Sequence, residues 1–145
     1  MMNASSPIDG VVTAGQPKEE ELARLAEAGF RTVVDLRTSG EDRGFVEPEA
    51  VRGAGMEYVS IPVDSDDPES FDDDDFDRFR RIMTERGDRP VLVHCRSATR
   101  VGTMMIPYLM LDEGKGREEA VEIASRIGPE KEDLTRRALR YAESR

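Results

Sequence analysis

The sequence predicts an α/β fold: one domain over residues 8–143, with a mostly parallel central sheet flanked by helices. Three observations carry that reading. Short apolar runs alternate with helical patterns along the chain. A length of 145 residues suits a single hydrophobic core. No internal repeat and no interdomain linker interrupts the alternation.

Val11 and Val12 open a strand that runs into TAGQP, where Gly15 marks a turn. Pro17 suits the first position of a helix, because its missing N–H would have no partner there anyway. That helix runs to about Ala28, with Leu22, Leu25 and Ala26 as its apolar stripe, Glu19 to Glu21 at its positive end and Gly29 as its stop. Arg31 to Leu36 form a short buried strand, followed by a glycine-punctuated stretch with one short helix over 47–53. Residues 58–63, YVSIPV, read as the next strand. An acidic segment then leads into a helix carrying Phe76, Phe79, Ile82 and Met83 on one face, capped by Ser70 with Asp72 to Asp75 in its first turn. Pro90 restarts the chain as the apolar strand VLV, ending at His94. Helices follow over 99–113, where Pro107 should introduce a kink, and over 116–127 and 130–143.

Composition narrows the function. With 31 acidic against 21 basic residues the net charge is −10, so the mean field repels nucleic acid and anionic membrane surfaces. Neither is an expected partner. The single cysteine, Cys95, excludes an intramolecular disulfide and multi-cysteine metal sites. The start, MMNASSPIDG, has no signal-peptide pattern and no apolar run approaches the ~18 residues of a membrane span. A soluble cytoplasmic protein is the expectation. Arg outnumbers Lys 18 to 3 on an acid-rich chain, a balance suited to a salty interior.

In a parallel sheet, ligands bind beyond the carboxyl ends of the strands. There the chain reads HCRSATRVGT, residues 94–103. A lone cysteine at a strand end is ordinarily inert core. Here it precedes a helix N-terminus, whose dipole and unpaired N–H groups stabilise a thiolate and can wrap an anion resting on the sulfur. Arg100 can fold back on that anion with its planar fork, and Arg96 adds a second positive charge. Ser97, Ala98, Thr99 and Val101 supply the rest of the cradle. His94 fits an inward-pointing role, bonded to the loop and tuning the thiolate, better than that of a general base. Arg37 ends its strand on the carboxyl side, either bordering the pocket or pairing with a neighbouring acid at the surface.

HCRSATRVGT resembles the signature loop of the cysteine-dependent protein phosphatases. The likeness spans about Val12 to Ile127. TAGQP resembles the element that opens atypical dual-specificity phosphatases, VVDLR the strand that follows, IPVD the start of their general-acid region, and residues 100–128 the helical region after the loop. It is strongest to the phosphatase-like domain of beta-lactamase-hydrolase-like proteins, whose loop reads Cys-Arg-Ser-Gly-Thr-Arg. The resemblance implies a cysteine-phosphatase-like fold and hydrolysis of a phosphate monoester through a phosphocysteine, on a phosphorylated protein or small molecule, with no metal or organic cofactor. Cys95 is then the nucleophile and Arg100 holds the phosphoryl oxygens. The acid comes from IPVDSDDP, with Asp64 first and Asp66 second, Asp67 also being available.

Three departures matter. Cys95 and Arg100 are separated by four residues, one fewer than in ordinary cysteine phosphatases, and six-residue loops also occur in rhodanese-like sulfurtransferases. Ala98 stands where the related loop has Gly, a strain of about 1 kcal/mol or more if the backbone there needs φ > 0. Val101 replaces the hydroxyl that eases departure of the thiolate. The alternatives are therefore a sulfurtransferase and a phosphate-binding pseudophosphatase. Asp72 to Asp75 do not make a calcium loop: Pro68 falls on the fifth ligand position of DSDDPES and no Gly stands at the sixth. The sequence leaves oligomeric state open.

Overall fold

The computed structural model describes residues 4–145. Its elements are strand β1 (Ser5–Ile8), β2 (Val11–Ala14), helix α1 (Glu19–Glu27), β3 (Thr32–Asp35), α2 (Glu47–Gly53), β4 (Glu57–Ser60), α3 (Asp73–Glu85), β5 (Val91–His94), α4 (Thr99–Leu111), α5 (Arg117–Ile127) and α6 (Glu132–Glu143). The five strands lie in the order β1-β2-β5-β3-β4. Only the β1–β2 pair is antiparallel; β2, β5, β3 and β4 run together. The expected fold class is the one observed. β1 was not anticipated: its SSPI lacks an apolar alternation, and it is held by pairing to β2 and by Ser5 Oγ against Thr13 Oγ1 at 2.8 Å.

Strand alternation sorts the core onto two faces. Val33 and Leu92 join Ala14, Leu22, Val51 and Met56 beneath α1 and α2. Val34, Val91 and Val93 join the larger cluster formed with α3 to α6. Helix α4 is the centre of that second layer, buried continuously from Arg100 to Leu109, which explains why it is apolar all round. It runs unbroken through Pro107 to Leu111, packed against α5, α6 and α3.

Two expected helix starts move. Pro68 starts a single 3₁₀ turn, Pro68–Ser70, so Ser70 closes that turn. Asp72 caps α3 instead: its carboxylate accepts the Asp75 N–H at 2.8 Å, and Asp75 reaches back to the Asp72 N–H. Pro17 lies outside α1, whose first turn is closed by Glu21 accepting the Lys18 N–H at 2.8 Å.

Register places the site. Ala14 and Asp35 both pair with His94, and Asp35 also pairs with Ser60. Four parallel strands thus end on one line, and the segments after them emerge side by side. Those segments carry Gln16, Arg37 to Glu47, Val63 to Asp67, and Cys95 to Arg100.

Candidate active site

The loop after β5 is closed tightly on its own helix. Cys95 is a free thiol, 1% exposed. The Ala98 N–H donates to its Sγ at 3.1 Å, and Ala98 O accepts the Gly102 N–H at 3.0 Å, starting α4. Turning the chain this sharply puts Ala98 at φ +72°, the left-handed region in which a side chain is strained, as the Gly-to-Ala departure led us to expect. Gly128 lies flat against the bend: a Cβ there would sit 2.5 Å from the carbonyl carbon and oxygen of Ala98.

Of the candidates for anion binding, Arg96 is exposed and Ser97 and Thr99 are half-buried, their hydroxyls 3.4 Å apart. These three, with Arg100, line an open hollow of about 490 Å³ completed by Ser65, Asp66, Pro129, Glu130 and Lys131. Ala98 and Val101 are fully buried in the core, so anything they offer an anion comes from the main chain.

Arg100, only 6% exposed, is held before any ligand arrives. Its Nη1 and Nη2 donate to the two oxygens of Glu41, both at 2.8 Å, and Nη1 also donates to the Val63 carbonyl at 2.9 Å. Burial opposes the charged guanidinium, but its bonds to Glu41 and its closeness to the Cys95 sulfur outweigh that and push its pKa up. The same guanidinium, helped by Thr38 and Arg37, holds the Glu41 carboxyl far below the usual carboxylate range. A guanidinium has five N–H groups. Glu41 and Val63 take three, and the guanidinium also interacts with the Cys95 sulfur beside it.

Arg37 is buried, so the surface reading falls: it pairs with Glu41 at 3.1 Å, the carboxylate that holds Arg100, while its Nη1 donates to Gln16 Oε1 at 2.7 Å. His94, fully buried, points inward as expected, but its strong partner is Glu47: Nε2 lies 2.5 Å from Glu47 Oε2, and Nδ1 only 3.4 Å from the Cys95 carbonyl.

Asp35, Glu47 and His94 are the one group among the described residues whose side chains come within 4.8 Å of one another in a metal-ligand set. Their oxygens already have donors. Asp35 accepts Tyr58 Oη at 2.6 Å, Arg43 Nε at 2.8 Å and the Arg37 N–H at 2.9 Å; Glu47 accepts Gln16 and His94. A carboxylate buried without such partners would cost on the order of several kcal/mol.

The acid candidates separate. Asp64 is exposed, its Oδ1 accepts the Asp66 N–H at 2.9 Å, and it follows the Val63 carbonyl bound by Arg100. Asp66 lines the hollow, with Lys131 Nζ at 3.2 Å. Asp67 caps the 3₁₀ turn through Glu69 N–H at 3.1 Å. Sequence reasoning missed Glu41, Glu47 and Lys131, and met Gln16 only as part of a resemblance. Nothing in their neighbouring residues marks them, since each makes a decisive contact at least 31 positions away along the chain.

Helices on both faces of a parallel sheet, with a cysteine and an arginine on one helix-capping loop at its carboxyl edge, define a cysteine-phosphatase-like protein. Residues 6–140 match the family described as DSP-PTPase phosphatase fused to NAD+ kinase, and the chain belongs to that family. A beta-lactamase hydrolase-like protein of Xylella fastidiosa is 33% identical over 114 residues, covering 75% of this chain and 25% of its relative. The chain thus spans about a quarter of the length of the curated relatives it matches. The crystal structure of Tk-PTP in the active form superposes with a TM-score of 0.78 at 25% identity, covering 99% of this chain and 97% of the other. TpbA of P. aeruginosa, solved in complex with phosphotyrosine, shares the fold at a TM-score of 0.69 and 21% identity, over 97% of this chain and 83% of its own. Among the described residues, no helix is long and apolar enough to cross a membrane.

Proposed function

We infer that the protein is a cysteine-dependent phosphatase acting on a phosphate monoester. The observation that carries this reading is the Cys95 sulfur lying at the N-terminus of α4, receiving the Ala98 N–H, beside the Arg100 guanidinium, which Glu41 holds against it. Cys95 thiolate attacks phosphorus and the P–S bond forms as the ester P–O bond breaks. Arg100, through Nε and Nη2, and the main-chain N–H groups of residues 96–101 hold the equatorial oxygens, whose charge they neutralise. Arg96, Ser97 and Thr99 line the mouth. Asp64 protonates the leaving oxygen; its main chain is tied to Arg100 through Val63. Asp66 is the second candidate because it lines the hollow. Water then hydrolyses the phosphocysteine.

Purified protein offered 4-nitrophenyl phosphate should release phosphate, and Cys95→Ser should abolish the release. Thiosulfate and cyanide offered in parallel test the sulfurtransferase reading by thiocyanate formation, which family membership disfavours. Neither product, with retained vanadate binding, would leave a phosphate-binding pseudophosphatase. With an alkyl phosphate, Asp64→Asn should lower turnover by about 10²–10⁴-fold. An effect of Asp66→Asn alone would move the acid to Asp66.

A further inference from the structure

Both ends of the Cys95 loop are gripped by one hydrogen-bonded circuit. From the arginine end it runs Arg100 to Glu41 at 2.8 Å, then Arg37 Nε to Glu41 Oε1 at 3.1 Å, then Arg37 Nη1 to Gln16 Oε1 at 2.7 Å. From Gln16 it continues through Nε2 to Glu47 Oε1 at 2.8 Å, and Glu47 Oε2 meets His94 Nε2 at 2.5 Å. His94 precedes Cys95, so the circuit returns to the loop it left. Gln16 also touches the loop directly, its main-chain N–H donating to the Arg96 carbonyl at 3.2 Å.

Gln16 is where the two arms meet, and the chemistry of an amide explains why. It must accept from a guanidinium on one side and donate to a carboxylate on the other. A glutamine carries both functions on one planar group. A carboxylate would repel Glu47, and an apolar side chain would leave a buried arginine and a buried carboxylate each short of a partner. We propose that Gln16 is a positioning residue that couples Arg100 to His94, so that the anion-binding end and the cysteine end of the loop are set as one unit. Its role rests on the phosphatase reading for turnover, but oxyanion affinity reports it independently.

The test measures vanadate affinity by calorimetry, 4-nitrophenyl phosphate kinetics and the thermal midpoint for wild type, Gln16→Met, Glu41→Gln and the double variant. Gln16→Met preserves length and removes the bonds to Arg37 and Glu47, together with a local one from Nε2 to the Pro17 carbonyl. It should weaken vanadate binding and lower kcat/KM by about tenfold each, the scale of one lost bond to a charged group. The double variant should lose no more than the worse single one, because both cut the same arm. Gln16→Asn, one methylene short of bridging both partners, should fall between wild type and Gln16→Met, and it decides the matter if Gln16→Met does not fold. Affinity and kcat/KM within twofold of wild type in a folded Gln16 variant, or losses that multiply in the double variant, would overturn the proposal. If wild type binds vanadate without turning over substrate, the phosphatase reading fails while the binding arm still judges Gln16. Absence of vanadate binding by wild type would overturn both.

Discussion

Ala98 shows how a single residue carries opposing costs. Its left-handed backbone costs about 1–2 kcal/mol relative to an ordinary conformation. Replacing it with Gly removes that strain, but loses a buried methyl worth about 0.8 kcal/mol and adds about 0.4–1 kcal/mol of unfolded-state freedom. Ala98→Gly should therefore leave unfolding free energy within about 1 kcal/mol of wild type. Ala138→Gly, buried in the middle of α6, has no strain to relieve and should destabilise; urea unfolding of both separates the cases. Asp75 gives the pH-dependent case. Burial, together with the neighbouring Asp72 charge, raises its pKa from 3.8 to about 6 even though it helps cap α3. The folded state then holds more protons than the unfolded state between those values, so stability falls as pH rises from about 4 to 6 and the cost is full above that. Asp75→Asn keeps an accepting oxygen and should raise the melting temperature at pH 8, the gain shrinking as pH falls through 6.

At the scale of elements, the α5–α6 turn presses on the bend of the Cys95 loop. Gly128 has φ −162°, extended backbone open to any residue, so only space requires the glycine. Alanine there would meet the Ala98 carbonyl at 2.5 Å and Thr99 N at 2.8 Å. Gly128→Ala should cost about 1–3 kcal/mol by overpacking and weaken vanadate binding, because relief requires the loop or the turn to move. A variant with wild-type stability and affinity would show that the turn yields freely. The strands explain why the loop is a good place for this chemistry: β5 lies between β2 and β3, so Gln16 and Arg37 leave neighbouring strands on either side of Cys95.

Across the whole molecule the charge is uneven. Residues 64–77 hold nine acids and no base, while Arg96 and Arg100 flank the bend at Ala98, just after Cys95. On the proposed phosphatase reading, a substrate anion would cross a repelling surface to reach a notch neutralised by direct contacts. Salt should screen the approach more than the buried contacts. KM for 4-nitrophenyl phosphate should fall between about 0.01 and 0.15 M ionic strength, as the Debye length shortens from about 30 to 8 Å. A rise in KM with salt would contradict this account. The acid-rich, lysine-poor surface also predicts a melting temperature that rises into molar salt; a flat response would remove that expectation.

What the sequence determined by itself was local: strand and helix alternation, the short helix over 47–53, the strand end at His94, and a cysteine–arginine loop capping a helix. Periodicity and turn residues carry that information because they act over a few positions. Cap assignment failed at Ser70, where Pro68 imposed a 3₁₀ turn, and β1 escaped because its strand character comes from its partner. Only the tertiary structure decided that Glu41 holds Arg100, that Glu47 and not the loop is the main partner of His94, and that Gln16 joins them. Such residues look like ordinary loop polars in sequence. Their importance comes from burial, which makes an unpaired charge costly and so forces each group to find a partner far along the chain.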